Sequence, residues 1–352
     1  MGPLPPDRIR AALRRGGVIP AHPLALTAAG RWDVRHQRAL TRYYLDAGSA
    51  GVAVGVHTTQ FSIRKAGLYP AVLALGRETV ADWAPGRPVV TIAGVIGATR
   101  QAVAEARIAR DLGYHVALLS LGGLDRWTDD RLLAHAREVA RVMPLMGFYL
   151  QPAVGGRPLG YRFWRRFAEI GNVVAIKVAP FNRYQTLDVL RGVADAGRLG
   201  AIALYTGNDD AIVADLLTAF PVTTSAGRRI TARFVGGLLG HWAFWTRRAV
   251  KLVERCRRAA REGAVPAALL RLAATTTEAN AAIFDAANGF RGCIGGINEV
   301  LRRQGLLRSG RCLDPAEQLS PGQTVRITRV LRSYPDLTDD AFVARNLDRW
   351  LS

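Results

Sequence analysis

Four apolar residues, three of them β-branched, run straight into a lysine at Val173-Val174-Ala175-Ile176-Lys177. A short continuous apolar run of this kind reads as a strand buried on both faces of a parallel sheet. An ammonium group is poorly tolerated there unless it is paired or loses its proton. The chain holds only three lysines, Lys65, Lys177 and Lys251, among its 48 lysines and arginines. Arginine supplies charge but does not lose its proton near neutral pH. A lysine can, once burial lowers its pKa from about 10.4. Lys177 is therefore expected to attack a carbonyl and form a Schiff base. The competing expectation is a strand-end lysine whose head reaches solvent or pairs with a carboxylate.

The elements that must position this lysine recur with a plain rhythm. Strand patterns fall at residues 16–21, 51–56, 88–95, 115–119, 145–150, 173–177 and 200–205. Helical patterns separate them, at 34–47, about 68–83, 99–112, 129–142, 161–170 and 184–196. Asp33, Thr99 and either Thr128 or Asp129 are the expected N-caps, and Gly48 and Gly113 the expected stops. Asn208 or Asp209 is expected to cap a further helix ending at Phe220. For the eighth strand, residues 221–225 and 232–239 compete. The second has the better apolar character and the Gly236-Gly237 pair, which makes 221–231 an inserted excursion. Beyond His241 the pattern is helical, the longest helices covering about 244–262, 267–287 and 294–304, with a break near 313–322 and two short terminal helices. Strand then helix, repeated about every thirty residues for roughly eight rounds, is the layout of an α/β fold, the (β/α)8 TIM barrel, here with additional C-terminal helices. The expected organisation is a barrel over 1–240 and a helical extension over 241–352 packed on it. A doubly wound sheet is less well supported, because Ile19-Pro20-Ala21-His22-Pro23 stands where a Gly-rich phosphate turn belongs.

In a barrel, residues at the C-terminal ends of the strands converge on one mouth. Strand two brings His57, Thr58 and Thr59, strand five Tyr149 and Gln151, strand six Lys177, and strand seven Gly207, Asn208 and Asp209. Each has a plainer reading. Thr58 and Asp209 could cap helices, Tyr149 could be core with its hydroxyl satisfied, and His57 could simply pack. Together they suit a 2-keto acid. Lys177 would form the imine with the keto carbon. Thr58 and Thr59 would hold the carboxylate with hydroxyls and backbone N–H groups. Tyr149 would pass protons. His57, Gln151, Gly207 and Asn208 complete the expected substrate-binding set.

At these residues the sequence resembles the dihydrodipicolinate synthase / N-acetylneuraminate lyase family of Schiff-base barrel enzymes. The pieces that carry the resemblance are Gly55-Val56-His57-Thr58-Thr59, Ala93-Gly94-Val95, Phe148-Tyr149-Leu150-Gln151-Pro152, Ala175-Ile176-Lys177 and Thr206-Gly207-Asn208-Asp209, in the family's order and spacing. The resemblance implies that Lys177 forms the imine with pyruvate, that Tyr149 relays protons, that Thr58 and Thr59 hold the carboxylate, and that the protein is a homodimer or homotetramer. There are departures. Gln60-Phe61 replaces the family's Gly-Glu, Leu150 replaces an asparagine, and Ser120-Leu121-Gly122-Gly123-Leu124 lacks the further tyrosine of the synthases. The serine usual in the eighth strand is not evident. Arg157 is the nearest counterpart of the arginine that binds the synthases' aldehyde. The losses argue against a true dihydrodipicolinate synthase, so the expectation is a lyase or aldolase acting on pyruvate or another 2-keto acid. The alternative is a barrel that binds a keto acid or sugar acid without turnover, as a sensor or scaffold.

Composition narrows the rest. The net charge of +20 could mean a nucleic-acid partner. The arginines are spread along the chain, though, and the densest stretch, Arg247 to Arg261, has helical spacing and carries Glu254. No nucleic-acid partner is expected. The longest apolar stretch, 234–245, is interrupted by glycines and His241 and falls short of the ~20 residues of a membrane span. No membrane partner is expected, and with no signal pattern at its start the chain reads as cytoplasmic. Cys256, Cys293 and Cys312 form no C-x-x-C, and the six histidines show no ligand spacing. Neither a metal nor a cofactor is expected. The expected partner is a small-molecule 2-keto acid.

Overall fold

The computed structural model describes residues 2–352. Eight parallel strands form the barrel: β1 (Val18–Pro20), β2 (Gly51–Val54), β3 (Val90–Val95), β4 (Val116–Ser120), β5 (Leu145–Leu150), β6 (Val173–Ala179), β7 (Ala203–Thr206) and β10 (Gly236–Leu239). The strands pair in the order β1-β10-β7-β6-β5-β4-β3-β2. Closure between β2 and β1 rests on the Ala21–Ala53 bridge, on Ala50 N–H donating to Val18 O (2.8 Å) and on His22 N–H donating to Ala53 O (2.8 Å). All eight strands are buried throughout. That is why they read as unbroken apolar runs.

The outer ring is α2 (Val34–Ala47), α3 (Tyr69–Trp83), α4 (Thr99–Asp111), α5 (Asp129–Ala140), α6 (Tyr161–Ala168), α7 (Arg183–Asp195), α8 (Ile212–Leu217) and α9 (Thr246–Glu262). Asp33 caps α2 by accepting from His36 N–H, and Gly48 ends it in the left-handed region. Thr128 caps α5 by accepting from Arg131 N–H. Thr99 is not a cap. It is the first helical residue of α4, and its hydroxyl pairs with His135 Nδ1 at 3.0 Å. Nor do Asn208 and Asp209 cap α8, whose N-cap is Ala211. α9 lies in the ring between α8 and α2 and packs on β1. The last βα unit therefore runs past residue 240.

The eighth barrel strand is β10, inside the favoured stretch. The excursion before it is an antiparallel hairpin, β8 (Phe220–Thr223) with β9 (Arg229–Ala232). Glycine is required in β10. A Cβ on Gly236 would sit 2.1 Å from Gly17 O, so only glycine lets the strands approach closely enough to close the sheet.

One helix escaped the sequence pattern. α1 (Asp7–Arg15) plugs the N-terminal end of the barrel, where Ile9, Ala12 and Leu13 pack with interior residues such as Ile19, Val90 and Val116. Tyr205 from β7 donates to Leu13 O at 2.8 Å. Four further helices follow the ring: α10 (Ala267–Ile283), α11 (Cys293–Arg303), α12 (Gln323–Ser333) and α13 (Asp340–Leu351). They share an apolar core with α2, through residues such as Tyr43, Tyr44, Ile283, Ile297 and Trp350. Among the described residues no helix is long and apolar enough to cross a membrane.

Candidate active site

Side chains alternate along a strand, so each strand sends every second residue into the barrel. On β6, Ile176 and Val178 face the helices, while Ala175 and Ala179 face the interior. Lys177 lies between the two interior positions and points inward, 8 % exposed. Its Nζ stands 4.2 Å from the centre of the Phe148 ring. It forms no ion pair among the described residues. Burial lowers its pKa to about 8, against the opposing pull of Asp209 and Cys293. Gly207 makes room for it, since a Cβ there would lie 2.7 Å from Lys177 Cε and from Ala179 Cβ.

The strand-five residue beside the lysine is Phe148, not Tyr149. Phe148 pairs in register with Lys177 and packs in the barrel interior. Tyr149 faces the helix layer against Trp164, with ring centres 5.2 Å apart, and its hydroxyl accepts from Leu159 N–H at 3.0 Å. It does not line the cavity. The expected tyrosine relay is thus corrected. One residue of alternation turns the phenol to the other face of the sheet.

The same parity splits other expected pairs. Thr58 lines the cavity, and its buried hydroxyl has no hydrogen-bond partner among the described residues. Thr59 turns away and donates to His22 O at 2.6 Å, so its hydroxyl is committed to the loop after β1. Asn208 also turns away from the cavity. Its Oδ1 accepts from Phe181 N–H (3.1 Å), and its Nδ2 donates to Thr186 Oγ1 (3.2 Å) and Asp215 Oδ2 (2.9 Å). It fastens the loop after β6 to α7 and α8 and does not line the cavity. His57, Gln151 and Gly207 do line it. Burial, helped by Lys177, holds the His57 ring neutral, with a pKa near 4.

Two polar groups join this set from outside it. Asp209, expected as a cap, lines the cavity with one oxygen accepting from His241 N–H at 3.1 Å. Burial raises its carboxyl to about 7, opposed by that hydrogen bond and by Lys177. Cys293, at the start of α11, also lines the cavity, and burial pushes its thiol well up. Phe284 and Phe290 reach the cavity from the segment between α10 and α11. No local sequence signal announces these three, because the tertiary fold brings them to the mouth. Asp209 was legible as a strand-end acid, and only its direction was missing. Arg157 is elsewhere, with one guanidinium nitrogen donating to the carbonyls of Leu124, Asp125 and Trp127. Among the described residues no cluster of three or more His, Cys, Asp or Glu side chains could hold a metal ion.

The cavity has a volume of about 50 Å³. That is room for roughly three to five waters, the bulk of a small keto acid. It sits at the C-terminal end of the strands, where barrel enzymes place their chemistry. The sequence model of the Dihydrodipicolinate synthetase family matches residues 14–242. The chain belongs to that family. A curated relative, 4-hydroxy-tetrahydrodipicolinate synthase of Desulforudis audaxviator (strain MP104C), is 30 % identical over 209 residues, which is 57 % of this chain and 64 % of the relative. The chain thus matches less than two thirds of that relative's length. Among solved structures, YagE of E. coli K12, a prophage protein of the family in complex with pyruvate, aligns with a TM-score of 0.74 and 20 % identity over 91 % of this chain and 98 % of its own. The dihydrodipicolinate synthase of Acinetobacter baumannii, complexed with pyruvate, aligns at 0.73 and 20 % over 91 % and 99 %. CdNal of Clostridium difficile, complexed with mannosamine, aligns at 0.71 and 15 % over 91 % and 99 %. These likenesses establish the (β/α)8 barrel with its C-terminal helices as the family's fold in this chain.

Proposed function

We propose that Lys177 forms a Schiff base with pyruvate or a similarly small 2-keto acid, and that the enzyme makes or breaks the bond beside the imine. The observation that carries this is a buried lysine without an ion pair, its pKa lowered to about 8, in a cavity of keto-acid size at the barrel mouth. The neutral Nζ adds to the keto carbon. The resulting carbinolamine loses its hydroxyl as water when a proton is supplied. The protonated imine then draws electrons from the neighbouring carbon, which sheds a proton to become an enamine or parts from its substituent.

Thr58 is the group suited to the substrate carboxylate, since its hydroxyl is buried, unpartnered and at the cavity wall. Gln151 and His57 line the same cavity and are suited as further contacts. With Tyr149 outside, Asp209 is the carboxyl suited to give and take the protons of imine formation. A titration near 7 matches it to that task. Phe148 holds the amine against its face, which stabilises the cation without trapping it in a salt bridge.

The test is the intact mass of the protein after borohydride treatment with pyruvate, beside a Lys177→Ala control. A pyruvyl adduct on the natural chain alone supports the reading. An adduct with larger keto acids or sugar acids but not pyruvate keeps the mechanism and moves the substrate. No adduct with any keto acid leaves ligand binding without turnover.

A further inference from the structure

The loops beyond the strand ends rim the open side of the cavity with hydrocarbon, so whatever part of a substrate exceeds its volume of about 50 Å³ meets this rim. Val154, Phe181, Phe284 and Phe290 contribute this wall, and Leu150 adds to it from the end of β5. Phe181 and Phe290 meet edge to face with ring centres 5.6 Å apart. Both hold positive φ, 51° and 64°. Bulky L-residues rarely adopt that region. Such strain persists where the surroundings hold it, and it gathers at ligand sites. Two segments distant in sequence are thus each bent to bring a ring to one cavity.

Cationic side chains are missing from the same wall. In a chain with 48 lysines and arginines, Lys177 is the one such side chain lining the cavity among the described residues. Arg157, which could have met a second anionic group, directs its guanidinium to three backbone carbonyls and does not reach the cavity. A polyhydroxylated or charged tail would leave polar groups unpaired against the phenyl rings, a strong penalty in a buried site.

Building on the Schiff-base reading above, we propose that the part of the substrate beyond the keto-acid carbons is uncharged and apolar, an aryl or alkyl group. The partner of the three-carbon enamine is then an apolar aldehyde. In the joining direction the enamine carbon bonds to the aldehyde carbon and the aldehyde oxygen takes up a proton. Water then hydrolyses the iminium, freeing Lys177 and releasing a 4-hydroxy-2-keto acid with an apolar tail. Cleavage breaks the same bond and returns the same proton.

The experiment traps the full chain with borohydride over a concentration series of three probes: pyruvate, 2-oxo-4-phenylbutanoate and 2-keto-3-deoxygluconate. Calorimetric titration of Lys177→Ala with the last two runs in parallel. The aryl acid is expected to half-saturate at a concentration about tenfold or more below the sugar acid, and Phe290→Ser is expected to shrink that ratio. Equal or reversed preference, with pyruvate trapped, overturns the apolar substrate class and leaves the Schiff-base reading standing. No adduct with any probe, yet tighter calorimetric binding of the aryl acid, supports the apolar site while removing the Schiff base. No adduct and no such preference overturns both.

Discussion

Lys177 and Asp209 line one buried cavity, and each shifts the other's titration. Imine formation needs the lysine neutral and, on the reading above, the acid protonated. The amine is charged below about 8 and the acid is spent above about 7, so the productive pair is a minority form whose share, and with it the rate of adduct formation, should peak between the two. Asp209→Asn should lower that rate by about 10²-fold or more and remove the alkaline fall, which stopped-flow trapping across pH 6–9 would read. An unchanged profile in Asp209→Asn would assign the proton transfers elsewhere. Gly207→Ala tests the packing of the lysine itself. The new methyl would fall 2.7 Å from Lys177 Cε, so the chain must leave its rotamer or the strand must shift. Adduct formation should slow about tenfold or more with the barrel still folded, checked by trapping rate beside circular dichroism.

At the scale of elements, the segment after β2 is tied to α4 by a buried ion pair. Arg64 and Glu105 meet at 2.9 Å, with side chains 10 % and 7 % exposed. Arg64 also donates to Gly55 O and Gly94 O, and Glu105 accepts from Ile96 N–H. The pair therefore holds the backbone that leads into His57 and Thr58. Breaking a buried pair by removing one partner leaves the other charge uncompensated. Glu105→Ala should cost about 3–5 kcal/mol in denaturant unfolding, a much larger loss than for the exposed pair Arg141–Glu138, where about 0–1 kcal/mol is expected.

Over the whole molecule, burial shapes the response to acid. His22 and His241 are almost wholly buried, and both are held near 4, chiefly by desolvation. Their folded values lie below the unfolded value of about 6.5. Between those limits the unfolded chain binds more protons, so stability present at neutral pH drains away as pH falls from about 6.5 to about 4. Each such histidine contributes roughly 1.4 kcal/mol per pH unit in that window. The melting temperature should fall steadily across it. Replacing His22, which pairs with Thr41 and the Pro23 carbonyl, with Gln should flatten the slope in a pH series of thermal melts.

Much of this protein was legible without coordinates. Eight apolar runs with helices between them specified the barrel, because parallel strands buried on both faces need apolar residues at nearly every position. The same runs marked Lys177 as out of place, and the distant motifs placed the mouth. What the sequence could not carry was direction. Where both faces of a strand are buried, no polar alternation records which side chains look inward, so Phe148 and Tyr149 were interchangeable on paper. The parallel register decided between them. The turns after β2 and β7 did the same for Thr58 over Thr59 and Asp209 over Asn208, since the inner side chain reaches the cavity and the outer one bonds to the scaffold. The aromatic wall lay further out of reach. Phe284, Phe290 and Cys293 meet the barrel mouth only because the C-terminal helices fold back against α2, and nothing local to those residues encodes that contact.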